Sequence, residues 1–141
     1  MSRTAPLEQA ELAIIGAGCA GLSLARQLVR TEKTSSIKAC LYGPVSPAAT
    51  NRHSWGFWAT QGLKEQTELA RQRWHKWQII TAERKVTQTA DSHPYCRLDS
   101  RDWLTHCLNI IDGNIQQEPD NLPTPGAQPV FDSRPPNVPD G

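Results

Sequence analysis

Residues 12–21 read Leu-Ala-Ile-Ile-Gly-Ala-Gly-Cys-Ala-Gly, an apolar run that meets three glycines with the spacing G-x-G-x-x-G. A helix-compatible segment, 22–30, follows at once, and a second apolar run, 37–42, lies at the distance expected for a βαβ unit. This order of strand, glycine turn, helix and strand predicts an α/β fold with a Rossmann-like dinucleotide-binding βαβ unit. The alternative is a glycine-rich turn in an unrelated α/β protein.

Each glycine of this turn has a separate predicted role. Gly16 allows the chain to leave the strand sharply, and Gly18 has no Cβ, so a pyrophosphate can approach the backbone. Gly21 allows the following helix to pack close to the strand. The N-terminus of that helix then offers N–H groups and the positive end of its dipole to the phosphates.

Composition narrows the class of protein. The chain has 141 residues, of which 38% are apolar, and a net charge of +1, so it is predicted to form one modest domain that does not bind nucleic acid. No apolar run is long enough for a membrane span, and two acids among residues 1–11 argue against a signal peptide, so we predict a cytoplasmic protein. The four cysteines lack metal-site spacing and are predicted to be reduced and mostly buried, with no metal site.

Apolar periodicity and turn residues predict the organisation of the chain. Residues 1–11 are predicted to be a flexible leader, 12–132 a partial dinucleotide-binding domain, and 133–141 a proline-rich tail. Within the domain, the patterns predict a helix over 20–30, a strand over 37–42, a helix-compatible stretch over 62–74, a hairpin over 76–82 and 85–89, an extended segment over 94–98, a helix from 99–102 to 111, a short extended piece from 115, and a strand over 130–132.

The number of parallel strands is lower than this fold requires. Domains of this type need four or five parallel strands to bury both faces of the sheet, and the sequence offers three and a hairpin. We therefore expect an incomplete domain, either a piece of a larger protein or a shortened relative of one.

Three further blocks follow the glycine turn in a fixed order. They read Asn-Arg-His-Ser-Trp-Gly-Phe-Trp over 51–58, Pro-Tyr-Cys-Arg-Leu-Asp-Ser-Arg-Asp-Trp over 94–103, and Val-Phe-Asp-Ser-Arg-Pro-Pro over 130–136. In this order they resemble blocks of the bacterial lycopene β-cyclases, and the chain is similar to the N-terminal third of such an enzyme.

This resemblance implies an FAD-binding protein of carotenoid biosynthesis. Members of the family form β-ionone rings on lycopene by a redox-neutral, proton-initiated cyclisation, an isomerase-type reaction. A flavin kept reduced by NAD(P)H stabilises the cationic transition state or moves the proton. The resemblance also implies a carotenoid substrate, peripheral association with the membrane, and a missing C-terminal segment without which the chain is inactive alone.

The resemblance and the fold together suggest site residues. The predicted cofactor-binding residues are Gly16, Gly18, Gly21, Arg101 and Asp132. Substrate-pocket candidates are Trp55, Phe57 and Trp58, because aromatic walls suit a polyene and stabilise a carbocation. Plainer alternatives are core packing for the three rings, a solvated charge for Arg101, and a turn cap for Asp132 with Ser133.

Three departures from the family pattern leave other functions open. Gly43 stands where this fold usually has an acid that binds the adenosine ribose; Glu65 lies too far along the chain, and backbone groups or Ser46 are the candidates to compensate. The connection from Ile115 to Val130 is shorter than in relatives. The acids that the family uses for protonation lie in a later region, so no catalytic acid is predicted. The alternatives are a monooxygenase-like FAD-dependent oxidoreductase and a truncated, non-catalytic remnant.

Overall fold

A computed structural model describes residues 10–31, 37–45 and 53–136. Most of the predicted leader (1–9) and the end of the predicted tail (137–141) lie outside the described residues. In chain order the helices and strands are β1 (Leu12–Ile15), α1 (Cys19–Thr31), β2 (Ala39–Tyr42), β3 (Ser54–Trp58), α2 (Lys64–Leu69), β4 (Gln72–Trp74), β5 (Lys76–Ile80), β6 (Lys85–Thr89), β7 (Tyr95–Asp99), α3 (Ser100–Ile111), β8 (Gln116–Glu118) and β9 (Val130–Asp132).

The chain divides into two compact units. The first comprises Met1–Ser46 with His106–Gly141, and the second comprises Pro47–Thr105. The boundary near residue 105 falls inside α3, so this helix contributes residues to both units.

A parallel four-stranded sheet forms the first unit, with the order β8-β2-β1-β9. The register places Ile15 level with Tyr42 and with Asp132, and Tyr42 level with Glu118. The carboxyl ends of all four strands therefore meet at one edge, which we call the carboxyl edge of the sheet. The expected count of three parallel strands was wrong, because the short piece after residue 115 joins the sheet beside β2 as β8.

The centre of this unit is β1, which has a strand on either side. Ala13 and Ile14 are fully buried, as is Leu41 on β2, and α1 adds Leu22 at 1% exposure. This near-continuous apolar run is what a strand covered on both faces requires. Burying an isoleucine or leucine side chain contributes about 1.5–3 kcal/mol each, so these few residues provide much of the stability of the unit.

The second unit contains an antiparallel sheet, β3-β7-β4, and the predicted hairpin, now seen as β5 paired with β6. The helix-compatible stretch 62–74 was only partly helical. After a 3-10 turn over Gln61–Leu63, α2 ends at Leu69, because Ala70 adopts an extended conformation. The remaining residues become β4, in which Trp74 pairs with Tyr95 across the sheet; cross-strand aromatic contact outweighs the helical propensity of this segment.

Ion pairs and hydrogen bonds of charged residues join the block 94–103 to residue 71, directly before β4, and to β3. Arg71 donates from Nε and Nη2 to the two carboxylate oxygens of Asp102, at 2.6 and 2.9 Å, and its Nε lies 3.2 Å from Asp99. Arg97 donates to Asp99 at 3.0 Å and to the hydroxyl of Ser54 at 3.1 Å. The Arg71 guanidinium lowers the pKa of Asp102. Within the second unit, these polar residues therefore have a structural role.

The predicted helix near the end of the chain is confirmed as α3. Its buried apolar residues are Trp103, Leu104, Cys107 and Ile111, and Ser100 at its start is buried as well. Gly113 ends the helix with φ +71°, a conformation that favours glycine. Three of the four free cysteines are buried, as expected, and Cys19 is exposed. Across the described ranges no helix is long and apolar enough to cross a membrane.

The contact between α1 and the turn before it can be tested with two glycines. A methyl group on Gly21 would overlap the carbonyl oxygen of Gly16, whereas one on Gly18 would meet no atom of the described part of the chain within 4 Å. We expect Gly21→Ala to lower the free energy of unfolding by about 1–3 kcal/mol or more, as overpacking against fixed backbone does. Gly18→Ala should stay within about 0.5 kcal/mol of the wild type. Urea unfolding followed by circular dichroism measures both, and equal stabilities would contradict the packing described here.

Candidate functional site

The glycine turn leads from β1 into α1 at the carboxyl edge. Gly16 has φ +98°, and its N–H donates to the carbonyl of Tyr42 at 2.9 Å, so the turn is anchored on the end of β2. The N–H of Leu22 donates to the carbonyl of Gly18 at 3.0 Å. The first N–H groups of α1 precede this bond and, as at any helix start, have no partner within the helix.

The space around the three glycines differs from one to the next. Among the described residues no atom lies within 4 Å of the Cβ position of Gly18, so its backbone is open on that side. The Cβ position of Gly21 is blocked by the Gly16 carbonyl, and that of Gly16 lies 2.6 Å from the hydroxyl oxygen of Ser133. The turn is thus closed on the side of the fold and open at Gly18, the shape that a pyrophosphate against a helix N-terminus requires.

Ser133 fastens the end of β9 to the turn. Its N–H donates to the carbonyl of Ile15 at 2.9 Å, and its hydroxyl lies 2.9 Å from the same oxygen and 3.2 Å from that of Gly16. The sequence placed this residue in the tail, yet it contacts the glycine turn directly. No local pattern predicts this contact, because the two partners are 117 residues apart.

Asp132 ends β9 level with Ile15, beside the turn, but its carboxylate is already engaged. It accepts hydrogen bonds from the backbone N–H of Arg134 at 3.0 Å, from Nε at 2.9 Å and from Nη2 at 2.7 Å. These bonds lower the pKa of Asp132 from 3.8 to about 2, so the group stays ionised at neutral pH. The side chain of Arg134 also passes the turn, since its Cγ lies 3.5 Å from the Cβ position of Gly16.

The end of β2 shows why the usual acid is missing. Gly43 has φ +112°, where a side chain would be strained. Its N–H donates to the carbonyl of Glu118 at 3.1 Å. Ser46, the compensating residue suggested by the sequence, lies outside the described residues.

Glu118 is an acid of this edge that the sequence did not single out. Its carboxylate accepts from the side-chain amides of Asn121 at 2.8 Å and Gln116 at 3.0 Å. Those two donors lower the pKa of Glu118 below its usual value. The place of Glu118 at this edge follows only from the pairing of β8 with β2. That pairing is a long-range contact, which local patterns do not predict.

The remaining predicted site residues belong to the second unit. Arg101 lies exposed in the first turn of α3. Trp55 and Phe57 are half-buried and alternate with the exposed Trp58 along β3, so strand geometry places Trp58 on the opposite face. The three rings therefore do not form one cluster.

Trp58 instead belongs to another aromatic group. It meets Trp77 and Tyr95 edge-on, with ring centroids 5.4 and 4.9 Å apart, and Trp74 lies 6.1 Å from Tyr95. The hydroxyl of Tyr95 occupies the place of a side chain on Gly56, which explains a glycine at the centre of β3. The indole N–H of Trp77 is buried without a hydrogen-bond partner among the described residues.

Comparison with protein families assigns the chain. The family described as lycopene cyclase protein matches residues 11–111, which is most of the sequence. The chain belongs to the lycopene cyclase family. The resemblance seen in the sequence blocks is thereby confirmed. A search of curated proteins finds no match to this member of the family.

Solved structures confirm the fold of this lycopene cyclase family member. A tetrameric form of 2-methyl-3-hydroxypyridine-5-carboxylic acid oxygenase is similar with a TM-score of 0.57 at 12% identity, covering 80% of this chain and 32% of that one. A mutant of PqsL from P. aeruginosa is similar with a TM-score of 0.56 at 13% identity, covering 87% and 33%. The chain thus spans about a third of these proteins, and the likeness shows a partial Rossmann-like α/β fold.

The pairing of Asp132 with Arg134 can be tested by titration. We expect a pKa of about 2 for Asp132 in the wild type, and a rise part of the way towards 3.8 in Arg134→Gln, because the two guanidinium donors and their charge are removed while the backbone N–H of residue 134 still donates. The folded pKa lies below the ordinary one, so the pair stabilises the fold above pH 3.8 and the effect is lost as the pH falls towards 2. Carbon-13 NMR of the side-chain carboxyl group, followed as a function of pH, measures the pKa of Asp132.

The control is the other arginine–aspartate pair. Arg71→Gln should raise the pKa of Asp102 and leave that of Asp132 unchanged. An Asp132 pKa that stays near 2 in Arg134→Gln would contradict the geometry of the pair.

Proposed function

We propose that this chain is the FAD-binding part of a lycopene cyclase. The observation that carries the proposal is the turn at Gly18, open on one side and backed by the N-terminus of α1. Family membership supports FAD as the dinucleotide, since the sequence blocks resemble those of FAD-dependent cyclases. The parallel sheet and the glycine spacing fit a dinucleotide whose diphosphate lies across the carboxyl edge.

Each part of the proposed site has a defined task. The N–H groups at the start of α1 would bind the diphosphate, and the absence of a side chain at Gly18 would let it approach the backbone. Ser133 keeps the turn rigid through its two carbonyl contacts. Arg134 adds a positive charge, and Asp132 orients it at 2.7 Å. Arg101 is proposed to contact the flavin portion from the first turn of α3.

The proposed activity of the whole protein is the redox-neutral closure of β-ionone rings on lycopene. A bound reduced flavin, maintained by NAD(P)H, would supply charge stabilisation for the cationic transition state. The residues of this chain position that cofactor, and proton donation to the polyene is not assigned to any of them. Trp55, Phe57 and Trp58 remain candidates for apolar contacts with the carotenoid. Peripheral membrane association, which a lipophilic substrate favours, is part of the same proposal.

Flavin retention tests the proposal directly. The purified chain incubated with FAD should keep flavin absorbance after desalting, and Gly18→Val should raise the dissociation constant at least about tenfold, because the branched side chain occupies the path of the phosphate. Gly62→Val is the matched control, since Gly62 also has no atom of the described ranges within 4 Å of its Cβ position and lies in a 3-10 turn of the second unit.

The outcomes of that test separate clearly. Retention by the wild type and by Gly62→Val, with loss in Gly18→Val at unchanged thermal stability, supports the assigned turn. A wild-type chain that binds no FAD would overturn the proposed function. Equal binding by both valine variants would show that the dinucleotide does not approach Gly18.

A further inference from the structure

We propose that Glu118 binds the ribose hydroxyls of the adenosine half of the dinucleotide, in place of the acid that the end of β2 lacks. This inference rests on the proposed function, because it needs a dinucleotide at the glycine turn. It assigns the ribose contact to β8, a different strand from the usual one.

The conformation of the chain excludes the usual position. The acid normally stands at the end of the second strand, and here Gly43 occupies that place with φ +112°. A side chain there would be strained because the backbone is in the left-handed region that favours glycine. A carboxylate for the ribose must therefore come from a neighbouring segment.

The sheet brings Glu118 to that location. Glu118 is level with Tyr42, the last residue of β2, and its carbonyl accepts the N–H of Gly43 at 3.1 Å. Neighbouring strands lie about 4.8 Å apart, a distance that a glutamate side chain can span. The Glu118 side chain on β8 can thus reach the space beyond the end of β2, where the ribose would lie. In other proteins of this fold a residue of β2 itself reaches that space.

The carboxylate of Glu118 is also oriented. The amides of Gln116 and Asn121 donate to different oxygens, Oε1 and Oε2, at 3.0 and 2.8 Å. An ionised carboxylate has about four acceptor positions, so two remain for the two ribose hydroxyls. The same two amides lower the pKa of Glu118, which keeps it charged near neutral pH.

The other strand-end acid of this edge is less suited to the task. Asp132 lies on β9, on the far side of β1 from β2, and three donors of Arg134 occupy its carboxylate. Its neighbourhood is the glycine turn, where the diphosphate is proposed to lie. Within the described part of the carboxyl edge, Glu118 is the carboxylate that stands beside the end of β2.

A thermodynamic cycle between protein and ligand tests the assignment. Isothermal titration calorimetry measures the affinity of the full chain for ADP and for 2′,3′-dideoxy-ADP, which lacks both ribose hydroxyls. We expect the wild type to prefer ADP by about tenfold or more, as hydrogen bonds to a charged group do. In Glu118→Gln this preference should fall to about twofold or less, through weaker binding of ADP and little change for the dideoxy ligand.

Asp120→Asn is the matched control. Asp120 is an exposed acid two residues after Glu118, and its substitution removes the same charge. It should keep the wild-type preference for ADP. Charge alone acts in the opposite direction, since removing a carboxylate near a diphosphate strengthens binding. Stronger binding of both ligands to Glu118→Gln would therefore overturn the inference. Equal affinity of the wild type for ADP and for 2′,3′-dideoxy-ADP would also overturn the inference, and this measurement needs no variant.

The failure of this inference differs from the failure of the proposed function. If the wild type binds ADP and FAD but Glu118→Gln keeps its preference for ADP, the ribose assignment is wrong and the turn at Gly18 stands. If the wild type binds neither ADP nor FAD, both are overturned together.

Discussion

The close approach of α1 to the end of β1 is the constraint on which the first unit depends. Gly21 lies against the carbonyl of Gly16, and no side chain fits between them. This contact sets the point at which the helix begins and directs its first N–H groups across the carboxyl edge. Ser133 holds the other side of the same turn, so β9 is positioned by the same few atoms. Backbone geometry here determines both the packing of the unit and the shape of its candidate site.

Charge is distributed unevenly along the carboxyl edge. At β9 the carboxylate of Asp132 is balanced by Arg134, whereas at β8 the carboxylate of Glu118 has only neutral amides as donors. Between them lies the N-terminus of α1 with its positive dipole end. An extended ligand with an anionic centre matches this sequence of charges better than a compact one. The proposed dinucleotide, with its diphosphate at the N-terminus of α1, fits this order of charges.

Local patterns in the sequence predicted much of this structure. The glycine spacing and apolar run identified β1 and α1, and apolar periodicity with turn residues identified α3. Pairing between distant segments could not be read in the same way. Residues 72–74 end a stretch whose pattern is compatible with a helix. In the structure they form β4, and Trp74 pairs with Tyr95 across the sheet. The pairing of β8 with β2 and the contact of Ser133 with Gly16 join residues far apart in the chain. Local sequence patterns do not predict such contacts. Sequence blocks typical of the family identified it correctly, because they combine local structure with long-range contacts such as Arg97 with Ser54.

The glycine at the end of β2 has a consequence for ligand selection. In the proposed site the acid stands on β8 as Glu118, so the negative potential would lie to one side of the ribose, on a strand at the border of the described sheet. Cofactors that carry an additional phosphate on this sugar would meet a charge of the same sign with no arginine or lysine of β8 to neutralise it. The proposed site would therefore discriminate against nucleotides with an additional ribose phosphate, and this discrimination would weaken as added salt screens the repulsion.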